Sequence, residues 1–252
     1  MNPDPVSSPR NVTGEWDTPL SLCRFCVIKT LYDGCDLKRP DMFPPITQDD
    51  VFRIETPRLW LRWPHQKDAP ALHAVASHAH VAEMTAGIPH PFPDGAAEAF
   101  IAKTRAQNRH GDSIEMVIER KSLSRDVIGT VFLRHQHAHL PVLGYALHPA
   151  WWRHGYATEA AKAVIDMGFL LTDWEGVSAT VRADNPASIH VLAKLGFQNV
   201  GRRTDFLPLR QASLLVEDYQ LARTTFHHSF GGALQPLLWD RSTLPPHWAG
   251  AA

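Results

Sequence analysis

The residues with the clearest chemical potential lie between Leu147 and Ala160, where an apolar strand leads through a short loop into a helix. Gly155 stands at the junction. The free backbone N–H groups of a first helical turn point into such a loop, and the helix dipole adds positive charge there. A phosphate or pyrophosphate binds at such a place, and glycine lets the anion approach the backbone closely. The alternative interpretation is an ordinary strand-to-helix turn capped by Thr158 and Glu159.

Asn185 and Ser188 form a second polar pair, three residues apart at the start of a predicted helix. This spacing puts both side chains on one face of the helix, within reach of a ligand that lies alongside it. An asparagine amide donates and accepts hydrogen bonds, and a serine hydroxyl donates to a developing negative charge. Asn185 is also a favoured N-cap residue, with Pro186 at the first helical position, so capping is the alternative role.

Two clusters have residue types that bind metals. Three histidines share one face of an extended strand, with about 6 to 7 Å between neighbouring imidazoles: His135, His137 and His139. They lie just before Pro141 at a predicted turn, so a solvated hairpin end is the simpler interpretation. Three cysteines lie near the N terminus: Cys23, Cys26 and Cys35. A structural zinc site needs four ligands. We therefore expect free thiols and no metal, with a zinc module in the N-terminal tail as the alternative.

The composition excludes several classes of protein. The 252 residues include 25 Lys and Arg against 26 Asp and Glu, a net charge of −1. A nucleic-acid-binding protein would carry a clustered basic excess, so we expect no nucleic-acid partner. No run of about 18 apolar residues is present, and we expect neither a membrane span nor a membrane partner. The odd number of cysteines argues against a secreted disulfide framework, and a cytoplasmic location is predicted.

Hydrophobic periodicity predicts one domain between two tails. Residues 1–50 are predicted to be a proline-rich N-terminal extension, residues 51–226 the domain, and residues 227–252 a C-terminal tail. Alternating apolar residues predict strands at 58–62, 113–120, 127–134, 142–147, 177–181, 198–202 and 213–221. Helical spacing predicts helices at 96–109 after an Asp94 cap, at 155–171, at 187–195, and from Asp68 through Ala79. The predicted fold class is α/β, with a mixed, largely antiparallel central sheet flanked by helices.

Three separated motifs resemble the GNAT N-acetyltransferase superfamily, and in particular its ribosomal-protein N-terminal acetyltransferase (Rim-type) branch. Glu55–Arg62 is similar to the first strand of that branch, and Trp152–Ala160 is similar to its cofactor loop. Asn185–Phe197 resembles its penultimate helix. The motifs occur in the order of the family, and the resemblance covers about residues 54–219. It implies the acyl-CoA N-acyltransferase fold.

The resemblance implies an enzyme that transfers acetyl from acetyl-CoA to a primary amine, either a protein N terminus or a small amine. It implies that acetyl-CoA binds to nine residues: Leu147, Arg153, His154, Gly155, Tyr156, Ala157, Thr158, Asn185 and Ser188. Arg153 stands where the family usually has glycine, and His154 where arginine or lysine is frequent. Leu192 stands where many members have an acid tyrosine, so the resemblance implies Ser188 as the catalytic residue, which assists the departing thiolate.

In the expected reaction, a neutral amine attacks the thioester carbonyl directly. Backbone N–H groups near the end of strand 142–147 would stabilise the oxyanion, and a base must remove the ammonium proton. Glu83, Glu115 and Glu119 are candidate bases by position, and none of them is singled out. Glu159 is expected to interact with the N terminus of its own helix.

The alternative function is a catalytically inactive CoA-binding domain with a regulatory or scaffold role. Acceptor specificity is expected in two segments without a motif, residues 83–94 and 204–212. The acceptor amine and the oligomeric state stay open at this stage.

Acetyl-CoA should raise the melting temperature of the protein. A ligand that binds only the folded state, at about 100 times its dissociation constant, adds about 2.7 kcal/mol to the free energy of unfolding. Thermal denaturation with and without millimolar acetyl-CoA measures the shift. An unchanged melting temperature would count against the cofactor assignment.

Overall fold

The computed structural model describes residues 43–136, 139–230 and 237–238. Its strands are β1 (Arg53–Glu55), β2 (Leu59–Arg62), β3 (Ser113–Arg120), β4 (Val127–Gln136), β5 (His139–Leu147), β6 (Gly176–Arg182), β7 (Gln198–Leu207), β8 (Ala212–Ala222) and β9 (Leu237–Leu238). Its helices are α1 (Ala69–Ala76), α2 (Ala79–Glu83), α3 (Ala96–His110), α4 (Tyr156–Leu171), α5 (Pro186–Lys194) and α6 (Arg223–Phe230). Within these ranges, no helix has the length and hydropathy that a membrane span requires.

One mixed sheet contains all of these strands, in the order β7–β8–β6–β5–β4–β3–β2–β1–β9. Neighbouring strands are antiparallel except β5 and β6, which run parallel because α4 crosses over between them. In the described part of the chain, a single residue pair, Val142 with Ser178, joins β5 to β6. The two strands therefore diverge beyond Val142, and the sheet opens at its centre.

Helices cover both faces of the sheet. On one face, α4 buries Ala160, Val164 and Met167 against the inward side chains of β2, β3 and β4. On the other face, buried residues of α1 and α3 surround Val117 of β3. Side chains alternate along a strand, so Glu115 lies on the same face as Val117. Glu115 and residues of α1 and α3 on this second face line the groove described below.

Several local features differ from the prediction. Asp94 does not cap α3; the N-cap is Gly95 at φ +73°, a left-handed conformation that favours glycine. The helix predicted from Asp68 through Ala79 is two helices, because His78 is extended and interrupts the helical backbone. Strand β1 is too short to show a period, and α6 is largely polar around the buried Phe226, so neither was predicted.

Candidate active site

The opening between β5 and β6 continues into a groove of about 2050 Å³ that crosses the sheet. Its walls include the loop after β5, the start of α5, helices α1 and α3, and strands β7 and β8. Eight of the nine residues predicted to bind acetyl-CoA line this groove: Leu147, Arg153, Gly155, Tyr156, Ala157, Thr158, Asn185 and Ser188. His154 does not; its imidazole stacks on the Tyr156 ring, with centroids 5.7 Å apart.

The loop after β5 leaves the N terminus of α4 open towards the groove. Gly155 is the N-cap at φ +77°, and no side chain caps the helix. The Glu159 N–H bonds back to the Gly155 carbonyl at 3.1 Å, so the preceding N–H groups of Tyr156, Ala157 and Thr158 have no acceptor within the helix. The alternative of a cap by Thr158 and Glu159 is therefore wrong. The helix end remains able to bind an anion.

Arg153 has a left-handed backbone conformation, which usually favours glycine. Its φ is +64°, which costs a non-glycine residue about 1–2 kcal/mol. Neighbouring contacts hold the loop in this conformation: the Trp152 indole N–H donates to the Leu147 carbonyl at 2.7 Å, and His154 Nδ1 lies 2.7 Å from the Trp152 carbonyl. Arg153 thus adds a positive charge beside the groove.

Glu159 ties this loop to the segment before β2. Its carboxylate accepts hydrogen bonds from the Thr56 hydroxyl at 2.6 Å, the Arg58 N–H at 2.9 Å and Arg58 Nε at 2.6 Å. The Arg58 guanidinium also donates to the His154 carbonyl at 2.9 Å and lies 4.6 Å from the centre of the Tyr156 ring. Glu159 lies in the first turn of its helix, where an interaction with the helix N terminus was predicted, and its hydrogen bonds to residues 56 and 58 were not predicted. Arg58 was not predicted as a site residue, although it lies in the motif Glu55–Arg62 and its partner Glu159 lies in the motif Trp152–Ala160.

Asn185 caps α5, since its Oδ1 accepts the Ser188 N–H at 3.0 Å. The capping role predicted for this residue is confirmed. Asn185 also lines the groove, so capping and ligand binding are compatible. Leu192, one turn further along α5, is buried in the core and offers no acid group.

The Ser188 hydroxyl lies 2.9 Å from the hydroxyl of Tyr145, which is 3.3 Å from the Ser188 carbonyl. Burial raises the pKa of Tyr145 to about 12, against the opposing effect of the Ser188 hydrogen bond, so the phenol stays protonated. Tyr145 was not a predicted site residue. Its position in β5 between Leu143 and Leu147, on the same face, was the signal that could have found it.

The free edge of β5 supplies backbone donors. The His148 N–H bonds to the Ile128 carbonyl of β4 at 2.9 Å, and antiparallel alternation then turns the N–H groups of Tyr145 and Leu147 away from β4. Because β6 has diverged beyond Val142, these two groups face the opening of the sheet. They lie where the sequence predicted the donors for an oxyanion.

The three candidate bases have different surroundings. Glu115 lines the groove. Glu119 is buried and accepts a hydrogen bond from Arg62 Nε at 2.7 Å, outside the groove lining. Glu83 is exposed at the surface, 3.4 Å from His80. Among these three, only Glu115 lies where an acceptor amine could reach it.

One arginine joins the two segments in which acceptor specificity was predicted. Arg210, in the turn between β7 and β8, donates to the carbonyls of Ala82, of Thr85 at 3.0 Å and of Ile88 at 2.6 Å. Residues of both segments line the groove. The two segments therefore form one connected wall.

The histidine and cysteine clusters do not form a site within the described ranges. The His135 ring stacks with Trp174, with centroids 6.4 Å apart. His137, the side chain of His139 and the three cysteines lie outside the described residues. Among the described residues, no group of three or more His, Cys, Asp or Glu side chains is arranged to hold a metal ion.

Comparison with known proteins identifies the family. The family model described as "Acetyltransferase (GNAT) domain" matches residues 58–198, more than half of the chain. The chain belongs to the GNAT acetyltransferase family. It is thus an acetyl-CoA-dependent acyltransferase, and the family resemblance seen in the sequence is confirmed.

Individual relatives agree with this assignment. The uncharacterized N-acetyltransferase YoaA of Bacillus subtilis is 32% identical over 151 residues, which cover 59% of this chain and 84% of that protein. The ribosomal-protein-S5-alanine acetyltransferase of Vibrio fischeri has a TM-score of 0.59 and 20% identity, covering 69% and 98% of the two chains. The spermidine N-acetyltransferase of Vibrio cholerae, solved with CoA and spermine, has a TM-score of 0.58 and 15% identity, covering 68% and 99%. The predicted fold class is confirmed.

The residues of the groove fit acetyl-CoA. The open end of α4 suits the pyrophosphate, and Gly155 leaves room there, since an added Cβ would meet only the Arg58 guanidinium, at 3.4 Å. Arg153 and Lys194 line the groove near this end and add positive charge. The Asn185 amide suits the amide groups of the pantetheine arm.

Gly155→Val should weaken acetyl-CoA binding at least tenfold, because a branched side chain would crowd the pyrophosphate and strain a residue at positive φ. Titration calorimetry measures the affinity. Gly95→Val is the matched control: Gly95 is also a helix N-cap at φ +73°, it has nothing within 4 Å of an added Cβ, and it lies outside the groove lining. We expect both variants to lose similar stability and only Gly155→Val to lose affinity. Equal affinities, within a factor of about two, would mean that the loop does not hold the cofactor.

Glu159→Ala should lower both stability and acetyl-CoA affinity, because three donors of Thr56 and Arg58 lose their acceptor. Hydrogen bonds to a charged group contribute about 1.5–3 kcal/mol, and the exposure of Arg58 places the expected loss at the lower end. Chemical denaturation and calorimetry measure the two effects. Glu98→Ala, an exposed carboxylate in the first turn of α3, serves as control. An unchanged affinity in Glu159→Ala would show that the loop keeps its position without this anchor.

Proposed function

We propose that the protein transfers the acetyl group of acetyl-CoA to a primary amine, either a protein N terminus or a small amine, by direct attack within the groove. The observation that carries this proposal is the arrangement along β5. The open end of α4, the unpaired N–H groups of Tyr145 and Leu147, and the Ser188 hydroxyl all border the same opening. A thioester anchored through its pyrophosphate would pass each of these groups in turn.

The oxyanion donors follow from the divergence of β5 and β6. A backbone N–H that faces the opening is held by the sheet and needs no reorganisation when charge develops on the carbonyl oxygen, which makes it an efficient donor. The N–H groups of Tyr145 and Leu147 are the candidates for this role. A side chain that had to move into place would be less effective.

Ser188 is proposed to assist the departing thiolate. If the Tyr145 hydroxyl donates to Ser188, the serine hydroxyl proton is free to turn towards the sulfur. The high pKa of Tyr145 supports this arrangement, because a protonated phenol is a donor throughout the physiological pH range. Asn185 complements it by holding the Ser188 backbone through the helix cap.

The acceptor is proposed to enter from the other end of the groove, between α1, α3 and the β7–β8 strands. Relatives named for ribosomal protein and for spermidine acetylation share this fold, so both kinds of amine belong in the test. A screen of peptides and small amines with acetyl-CoA, read by release of free thiol, tests the proposal. Acetyl-CoA binding without turnover on any amine would instead favour an inactive CoA-binding domain.

Ser188→Ala should lower kcat at least tenfold, while acetyl-CoA affinity and melting temperature stay nearly unchanged, because only an interaction with the leaving group is lost. Tyr145→Phe should also lower kcat, and should add little in the Ser188→Ala background, since the two hydroxyls act together. Steady-state kinetics of the two single variants and the double variant measure the coupling.

The contrary result is a stability loss of about 1 kcal/mol in Ser188→Ala with unaltered kcat. Ser188 would then be a structural residue of the first turn of α5. Independent, additive effects of the two substitutions on kcat would exclude the proposed link between the hydroxyls.

A further inference from the structure

Glu115 lies in a row of residues that crosses the sheet from β3 to the open edge of β5. Phe132 of β4 pairs with Glu115 on one side and with Gly144 of β5 on the other. A Cβ at Gly144 would overlap the Phe132 ring at 2.2 Å, so the ring lies directly above this glycine. Two strand spacings separate Glu115 from Gly144, about 10 Å. A glutamate side chain and an acceptor amine, with or without one water, span that distance.

The carboxylate of Glu115 is buried and only weakly paired. Its nearest arginine atom is Arg134 Nη2, at 3.5 Å from Oε2. The Arg134 guanidinium instead lies over the Phe132 ring, 4.7 Å from its centre. Lys103 and Thr104 of α3 also face Glu115, and burial raises the pKa of Glu115 against the opposing effects of Arg134, Lys103 and Thr104.

Asn108 holds the backbone of Glu115 in place. Strand β2 ends at Arg62, which pairs with Val117, so β2 provides no partner for Glu115. The buried Asn108 side chain takes that place: its Nδ2 donates to the Glu115 carbonyl and its Oδ1 accepts the Glu115 N–H, both at 2.9 Å. A fully buried amide therefore fixes the position from which this carboxylate enters the groove.

The other carboxylates that line the groove, among the described residues, are closely paired with arginines. Three of them lie 2.5–2.8 Å from an arginine: Asp184 from Arg182, and Asp205 and Asp218 both from Arg203. Glu115 is the groove carboxylate with the longest ion pair. It is therefore the carboxylate of the groove that an arginine holds least closely.

We propose that Glu115 binds the ammonium group of the acceptor and removes its proton, and that the acceptor carries a single ammonium group. The inference rests on the acetyl transfer proposed above. The ammonium gives one proton to the Glu115 carboxylate, and the freed lone pair forms the C–N bond at the thioester carbonyl. The C–S bond breaks with its electron pair on sulfur, and the thiolate takes the second proton from the nitrogen. Glu115 then returns its proton to the solvent.

The charge balance of the groove selects between classes of amine. A polyamine carries several ammonium groups, each of which loses hydration on binding and requires its own anionic partner. Asp184, Asp205 and Asp218 each lie within 2.8 Å of an arginine, so a second ammonium group would have to compete with Arg182 or Arg203 for a carboxylate. A peptide N terminus or a small monoamine carries one ammonium group and needs only Glu115 as its anionic partner.

The test compares the wild-type enzyme, Glu115→Gln and Glu115→Asp over a range of pH. Two acceptors are used: a peptide with a free N terminus of pKa about 8 and an alkylamine whose pKa is about 10. At pH 7, Glu115→Gln should lose about tenfold in kcat/KM with the peptide and about 1000-fold with the alkylamine, because these are the factors by which the ammonium form of each amine exceeds the neutral form. The loss should shrink about tenfold per pH unit up to the pKa of the amine, because solvent then supplies the neutral amine. It should therefore be larger for the alkylamine at any given pH.

Further readouts separate a base from a structural residue. Wild-type activity should fall as the pH drops through the raised pKa of Glu115, whereas the activity of Glu115→Gln should rise steadily up to the pKa of the amine, without a break at the pKa of Glu115. Glu115→Asp keeps the charge and should retain part of the activity, which covers the case in which the glutamine variant is unstable. Glu98→Gln, an exposed carboxylate of α3 outside the groove lining, is the control and should match the wild type. Spermidine should be acetylated at least tenfold less efficiently than the better monoamine.

A pH-independent loss of equal size for both amines would overturn the role of Glu115 as base. A preference for spermidine over both monoamines would overturn the single-ammonium inference. If the wild type binds acetyl-CoA but acetylates no amine, the proposed function itself fails, and the inference falls with it. That outcome differs from turnover that the Glu115 substitutions leave unchanged.

Discussion

The hydrogen bonds that Glu159 accepts from Thr56 and Arg58 fix the active-site loop to the sheet. No side chain caps α4, so the helix needs an anchor that leaves its N–H groups free, and a carboxylate one turn inside the helix provides it. Arg58 then reaches the His154 carbonyl and the Tyr156 ring. The loop can hold two residues at positive φ, Arg153 and Gly155, because its ends are held in this way.

The opening between β5 and β6 also depends on α4. Because α4 connects β5 to β6 as a crossover, these strands are parallel, and a single pair at Val142 and Ser178 is all that joins them in the described chain. The backbone groups of β5 beyond that pair are released from the ladder and become available to a ligand. The opening between β5 and β6 thus has two different ends. The end at the N terminus of α4 suits an anion, and the other end of the groove is where we propose that the amine enters.

Periodicity alone predicted most of the framework, because strands such as Ser113–Arg120 and helices such as Tyr156–Leu171 carry regular apolar patterns. Residues close in the chain, such as Asn185 and Ser188, could also be predicted to lie together at the start of one helix. The contacts that complete the site join distant residues: Arg58 with Glu159, and Tyr145 with Ser188. No local pattern encodes such contacts. Glu115 could be named as one of three carboxylates, but only the pairing of β3 with β4 shows that it lies in the groove.

Arg210 joins residues 83–94 to residues 204–212 without using the side chains of the first segment. The hydrogen bonds that this guanidinium donates to residues 82–88 all go to backbone carbonyls, at Ala82, Thr85 and Ile88. The side chains of residues 83–94 can therefore be exchanged without removing an acceptor from the bridge. Substitutions in this segment would change the surface that it presents to the groove while Arg210 keeps the two segments joined.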